Sequence, residues 1–223
     1  MEKWLERNIP TLTEQECLTL SQKNVFIAGC GGLGGYLAEL SARCGIGGII
    51  LCDRDSFEIT NMNRQLCCLS STLSKSKTDI IRARLLSINP ALRISVFETG
   101  LTEKNAVCMM SGADAALDGL DSAASRIVLA EAASSAGIPL VHGAVSGWRA
   151  QAAVIPPNSG IMHRLFSGAD NIGKTSCLSF APAFCASVQI SETVKLLLGR
   201  PSFLWGRVLF ADLEMGVFET ITV

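Results

Sequence analysis

The chain has 223 residues, a length suited to one large α/β domain. With 48% hydrophobic and 17% charged residues it can bury a sizeable core, which excludes a disordered chain, and only 6% aromatics makes that core aliphatic. A net charge of −1, from 19 Lys and Arg against 20 Asp and Glu, argues against a protein whose main task is gripping nucleic acid or an anionic membrane.

A polar N-terminal segment (1–23) precedes an alternation of β-branched runs and helical patterns that predicts βαβ units. Strands are expected over Asn24 to Ala28, Gly48 to Cys52, Ile94 to Phe97, Ala113 to Leu117 and Ile138 to His142. Between them fall a helix from Leu33 to Cys44 stopped by Gly45, an amphipathic helix from Ser74 to Ile88 capped by Ser74, a short helix from Thr102 to Met110, and a helix from Asp121 to Ala136 stopped by Gly137. Trp148 to Ile155 reads as an extra strand. Residues 156–180 lack periodicity, and a connection of that length usually belongs to a functional loop. Ala181 to Leu198 is an apolar helix, and Arg207 to Asp212 with Val217 to Val223 forms a terminal hairpin. The expected architecture is a Rossmann-like, mostly parallel sheet with helices on both faces and a C-terminal antiparallel hairpin. It is divided into a nucleotide-binding core (24–155), a crossover loop (156–180) and a C-terminal helix and hairpin (181–223), all within one domain.

Nine cysteines is an unusual count, yet they form no C-x-x-C pair, so the spacing of structural zinc is missing. Several fall in apolar runs and are expected to be buried thiols. No secretory signal opens the sequence and no apolar run reaches the roughly 18 residues that cross a bilayer, so a soluble cytoplasmic protein is expected.

Gly29-Cys30-Gly31-Gly32-Leu33-Gly34 fits G-x-G-x-x-G directly after a strand and at the start of a helix. Glycines there let backbone N–H groups approach a phosphate, and the helix N-terminus adds its positive dipole end. Asp53, at the end of the second strand, is placed to accept hydrogen bonds from a ribose. The chain then continues through Asn61, Arg64 and Gln65 to Lys77. These cations suit a triphosphate, whose transfer chemistry needs charge neutralised on the leaving group, ideally with a divalent metal on a carboxylate such as Asp121. An oxidoreductase holding NAD in the same glycine loop is the alternative from another class.

The segments GCGGLG, DRDSFEITNMNRQ, SKSKTDIIRARLLSINP, Asp118-Gly119-Leu120-Asp121-Ser122 and GIPLVHGAVSGWRAQAAVI resemble, in order, the ThiF/MoeB/HesA family of bacterial relatives of ubiquitin-activating enzymes. The resemblance implies that ATP and Mg²⁺ adenylate the C-terminal glycine carboxylate of a ubiquitin-like sulfur-carrier protein ending in Gly-Gly. Pyrophosphate would be released, and the pathway would be of the thiamine or molybdopterin/tungstopterin type.

Carried over by position, Gly29, Gly31, Gly32 and Gly34 form the nucleotide loop and Asp53 binds the ribose. Asn61, Arg64, Gln65 and Lys77 hold the triphosphate, with Arg64 and Lys77 as catalytic cations, and Asp121 is the catalytic aspartate that holds Mg²⁺. Arg7 resembles the arginine that reaches into the partner's site of a homodimer. Cys177 lies where some relatives carry a cysteine that joins the carrier or takes part in sulfur transfer, and Lys174 nearby would favour its thiolate. Many relatives have two C-x-x-C pairs that bind zinc; this chain has neither, so a zinc-free subgroup is expected. Relatives acting on a tRNA base, a peptide or a small carboxylic acid, and a non-catalytic adaptor for a ubiquitin-like protein, define the remaining alternatives.

Overall fold

A computed structural model describes residues 2–166 and 176–223. Its strands are β1 (Asn24–Ala28), β2 (Gly48–Cys52), β3 (Arg93–Phe97), β4 (Ala115–Asp118), β5 (Leu140–Ser146), β6 (Arg149–Ile155), β7 (Arg207–Asp212) and β8 (Val217–Thr222). They make one sheet in the order β3-β2-β1-β4-β5-β6-β7-β8. The first five run parallel; β6, β7 and β8 add antiparallel. The expected fold class is therefore the observed one.

The helices are α1 (Glu14–Gln22), α2 (Gly34–Arg43), α3 (Lys77–Ile88), α4 (Ala106–Met109), α5 (Ala123–Ser135), α6 (Ile161–Phe166) and α7 (Phe180–Leu197). Alternation along a strand sends successive side chains to opposite faces. Val25 and Ile27 of β1 enter one core, beneath α2, α3 and α7; Phe26 and Ala28 enter the other, beneath α4, α5 and α6. All four are fully buried. Sequestration on both faces explains why the central strands read as continuous apolar runs.

Three local readings need correction. The N-terminal segment is not a plain polar arm: it holds a 3-10 turn (Lys3–Asn8) and α1, whose start is a capping box of Thr13 with Glu16. Thr13-Glu14-Gln15-Glu16 carries that signal in the sequence. Helix α3 is capped by Ser76, which accepts from the Asp79 N–H, because Ser74 sits in a turn at φ +62° and cannot begin a helix. The crossover segment contains α6, two turns too short to show periodicity.

Parallel strands β1 and β4 are neighbours although β2 and β3 intervene in sequence. The connections from β1 and β4 therefore diverge to opposite faces. Such a switch point opens a crevice at the carboxyl ends of the strands, where open α/β sheets bind ligands.

Candidate functional site

The crevice is built by glycines meeting backbone to backbone. Gly29 follows β1 at φ +84°, and a Cβ there would lie 2.7 Å from the Gly119 carbonyl oxygen beyond β4. A Cβ on Gly34 would lie 1.8 Å from the Gly29 carbonyl oxygen, so this glycine is required by the packing of α2 on its own strand. Gly31 and Gly32 differ. Their missing side chains leave open space bounded by Gln65 Nε2 at 3.6 Å from one and Arg64 Cγ at 3.7 Å from the other. Two of the four glycines thus shape the fold, while two leave room for a ligand.

Asp53 faces this loop at the end of β2. Its Oδ2 accepts the Cys30 N–H at 2.6 Å and its Oδ1 accepts the Asp55 N–H at 2.8 Å, which fixes both the loop and the turn after β2. A carboxylate offers about four lone-pair sites, so acceptor capacity remains for a ribose hydroxyl.

The next segment folds back over the glycines. Asn61 is buried at the end of a 3-10 turn, its Oδ1 accepting the Glu58 N–H at 3.1 Å. Arg64 Nη1 donates to the Thr60 carbonyl and to Asn63 Oδ1, both at 2.9 Å, leaving Nε and Nη2 with no partner among the described residues. Gln65 is 7% exposed and its Oε1 has no hydrogen-bond partner among the described residues. An unpaired buried carbonyl oxygen beside an open glycine loop fits a site completed by a ligand. Lys77 opens α3, is buried, and pairs with Asp55 Oδ2 at 3.1 Å. Asp55 escaped the sequence reading, because nothing in its spacing to Lys77 shows that the turn after β2 meets the start of α3.

Asp121 is exposed, two residues beyond Gly119, and lies outside α5, which begins after the Ser122 cap. The expected helix therefore starts two residues later, at Ala123, and ends one residue earlier, at Ser135. Arg7 is exposed on the N-terminal turn. Leu5, two residues before it, packs against Gly45, which precedes β2, so this segment lies at the opposite rim of the sheet from the glycine loop. The fold does not bring Arg7 to its own chain's crevice.

Cys177 is joined to the same region through its main chain: Asn63 Nδ2 donates to the Cys177 carbonyl at 2.9 Å, and Cys177 bridges Gly147. Burial pushes its thiol up while Arg64 draws it down, with burial prevailing. The expected thiolate support from Lys174 lies outside the described residues. Cys67 and Cys68 are buried just after Gln65. Among the described residues no group of three or more His, Cys, Asp or Glu could hold a metal ion, and no helix is long and apolar enough to cross a membrane. Arg84 donates to buried Glu39 of α2 at 3.1 Å through Nη2 and ties α3 to α2.

His142 lies inside β5 with no exposure and bonds to Asp118; His163 lies on α6, its Nε2 3.1 Å from Glu131.

A parallel sheet with an open glycine loop at its switch point, flanked by an unpaired arginine edge and a buried lysine, defines an α/β nucleotide-binding protein. The chain belongs to the ThiF family, whose model matches residues 5–223. It is 29% identical over 208 residues to the SAMP-activating enzyme E1 of Haloferax volcanii, covering 91% of this chain and 77% of that protein. It is 33% identical over 227 residues to a protein of Mycobacterium tuberculosis named as a probable adenylyltransferase/sulfurtransferase, MoeZ, covering 96% of this chain and 58% of that one. Against the adenylyltransferase and sulfurtransferase MOCS3 of Culex quinquefasciatus it is 31% identical, across 92% of this chain and 48% of that protein. The chain thus spans from about half to about three quarters of the length of these relatives. Its fold matches a crystal structure of E. coli MccB with succinimide (TM-score 0.82, 19% identity, 93% of this chain and 65% of that chain) and a solved structure of TcdA (TM-score 0.73, 24% identity, 85% and 91%).

Proposed function

We propose that this protein uses ATP to adenylate the C-terminal glycine carboxylate of a ubiquitin-like sulfur-carrier protein. The observation that carries the reading is the convergence of Arg64, Gln65 and the open glycines at the β1/β4 switch point. The names of the relatives, adenylyltransferases and an enzyme that activates a SAMP protein, support the same reaction.

In this reaction a carboxylate oxygen attacks the α-phosphorus of ATP. A P–O bond forms, the bond to the β-phosphate oxygen breaks, and an acyl adenylate and pyrophosphate result. Both reactants are anions, so the protein's task is positioning and charge compensation, and no nucleophilic side chain is needed. Gly31 and Gly32 admit the phosphates, and Asp53 takes the ribose. Asn61 and Gln65 supply amide groups, the free Nε and Nη2 edge of Arg64 donates to two phosphate oxygens, and Lys77 exchanges its Asp55 contact for the leaving pyrophosphate. Asp121, an exposed carboxylate beyond β4, is the residue that would hold Mg²⁺, which supplies further charge neutralisation when bound. Arg7 reaches the crevice of a second copy in a homodimer, consistent with its place at the far rim of its own sheet. Cys177 is the residue offered for a covalent carrier adduct: after adenylation its sulfur would attack the carrier's acyl carbon, losing its proton to solvent, and the C–O bond to AMP would break to leave a thioester and free AMP.

ATP–pyrophosphate exchange tests this. Native protein with carriers ending in Gly-Gly should exchange label, and Asp121→Ala should not. Absence of exchange with every carrier of the same genome overturns the sulfur-carrier reading. Mass spectrometry of a trapped carrier adduct, with and without Cys177→Ser, tests the cysteine separately.

A further inference from the structure

Beneath the crevice lies a buried ionic cluster that the reaction above does not use. Asp118 ends β4 without solvent exposure. Its Oδ1 accepts the Leu120 N–H at 2.9 Å; its Oδ2 bonds to His142 Nδ1 at 2.6 Å and lies 3.4 Å from Arg126 Nε. Arg126, 9% exposed on α5, donates through Nη2 to the Leu120 carbonyl at 2.7 Å. One ion pair therefore holds both main-chain polar groups of the residue before Asp121.

The cluster is closed on its far side. The Gln151 amide nitrogen lies 2.9 Å from His142 Nε2, and an amide nitrogen only donates, so Nε2 accepts and the ring proton sits on Nδ1, facing Asp118. Burial pushes the imidazolium form down, so the ring is neutral and the cluster holds one carboxylate and one guanidinium. A buried pair of this kind is a poor source of stability; Arg126 is fixed by its Nη2 bond to Leu120, while its Nε, without a hydrogen-bond partner among the described residues, faces Asp118 by charge alone. Phe166, the last residue of α6 within the crossover segment, packs against both His142 and Arg126. Its ring meets His142 edge-on at 5.5 Å between centroids and lies 5.3 Å from Arg126 Cζ.

We propose that Arg126, backed by Asp118 and His142, is a positioning residue that sets the direction of the Leu120–Asp121 main chain, and that Phe166 makes packing of the crossover entry part of that setting. The inference rests on the adenylation reading only in giving Asp121 the metal. Asp121 has no ion pair among the described residues, so the main chain before it decides where its carboxylate points. Misplacement by about 1 Å at a reacting centre costs on the order of 100-fold in rate.

The test compares native protein with Arg126→Gln, Arg126→Lys, Phe166→Ala, Phe166→Leu and Asp121→Asn. Binding of Mn²⁺ is followed by electron paramagnetic resonance in the presence of a non-hydrolysable ATP analogue, alongside analogue binding without metal, pyrophosphate exchange and thermal unfolding. Arg126→Gln and Phe166→Ala should weaken Mn²⁺ binding about 10-fold and lower the exchange kcat, with the metal-free analogue affinity changed by less than about 2-fold. Arg126→Lys and Phe166→Leu should recover part of each loss. Native Mn²⁺ affinity in folded Arg126→Gln, or in Asp121→Asn, overturns the proposal. Should Arg126→Gln fail to fold, Phe166→Leu and Phe166→Ala decide by the same Mn²⁺ measurement. If native protein gives no exchange yet loses Mn²⁺ on Arg126→Gln, the adenylation reading fails and the positioning role stands.

Discussion

Asn63 joins two parts of the crevice with one side chain: its Oδ1 accepts from Arg64 Nη1 and its Nδ2 donates to the Cys177 carbonyl, each at 2.9 Å. The Arg64 guanidinium and the returning end of the crossover segment are thereby oriented together. Asn63→Ala removes both bonds but leaves Arg64 its bond to Thr60. A hydrogen bond contributes about 1 kcal/mol, so the KM for ATP in exchange should rise about 5-fold. An unchanged KM and kcat would show that Arg64 needs no such restraint.

The two kinds of glycine separate stability from binding. Gly34→Ala forces a methyl against the Gly29 carbonyl and should destabilise the fold by about 3 kcal/mol or more, since backbone cannot yield as a side chain does. Gly31→Ala has room and should keep the native unfolding midpoint within about 1 kcal/mol while raising the ATP KM about 10-fold. Urea unfolding and exchange kinetics on both variants check the pair; a stable, active Gly34→Ala would contradict the packing.

Lys77 is buried and holds Asp55 across the turn after β2. Lys77→Met preserves its length without its charge. Exchange should fall by about 100- to 1000-fold, the scale seen when one preorganised charge-stabilising donor is lost. Circular dichroism establishes folding, and a variant that exchanges at the native rate removes Lys77 from the mechanism.

His142 predicts a pH window for stability. Its folded form resists protonation, so below the ordinary histidine value of about 6.5 the unfolded chain binds a proton that the folded chain does not. Unfolding free energy therefore falls as pH drops through that window. Glu16, Glu39 and Asp212, all lowered in the folded state, lose their contributions only further down, below their ordinary values of 4.5, 4.5 and 3.8. Urea midpoints at pH 7.5 and 5.5 should differ in native protein, with the difference shrinking in His142→Gln; an equal slope in the variant refutes the assignment.

Thiol reactivity should follow exposure. Cys108 is exposed and Cys177 half-buried, whereas burial drives Cys52 and Cys67 to about 11 and Cys185 to about 12. Iodoacetamide at pH 7.5 should label Cys108 first and Cys177 more slowly, and Arg64→Gln should slow Cys177 further, since Arg64 draws its thiol down. Peptide mass mapping over time reads the order; Cys177 reacting first would reveal an activation that its surroundings do not supply.

The sequence by itself determined the strands, the glycine loop and the order of the cations, because each rests on local pattern. Apolar runs of five residues, glycines after a strand and polar residues at fixed offsets are read within one stretch of chain, and β1, β2 and β7 fall where their residues predict them. What only the tertiary structure decided are relationships between distant stretches. Gly34 serves packing and Gly31 leaves room, although both occupy the same motif, because the difference lies in what faces them across the fold. Likewise Asp118, Arg126 and His142 are separate charged and polar residues in sequence, and become one cluster only when β4, α5 and β5 are packed side by side. Arg7 lies beside no part of its own crevice, since the parallel sheet puts strand beginnings and strand ends at opposite rims.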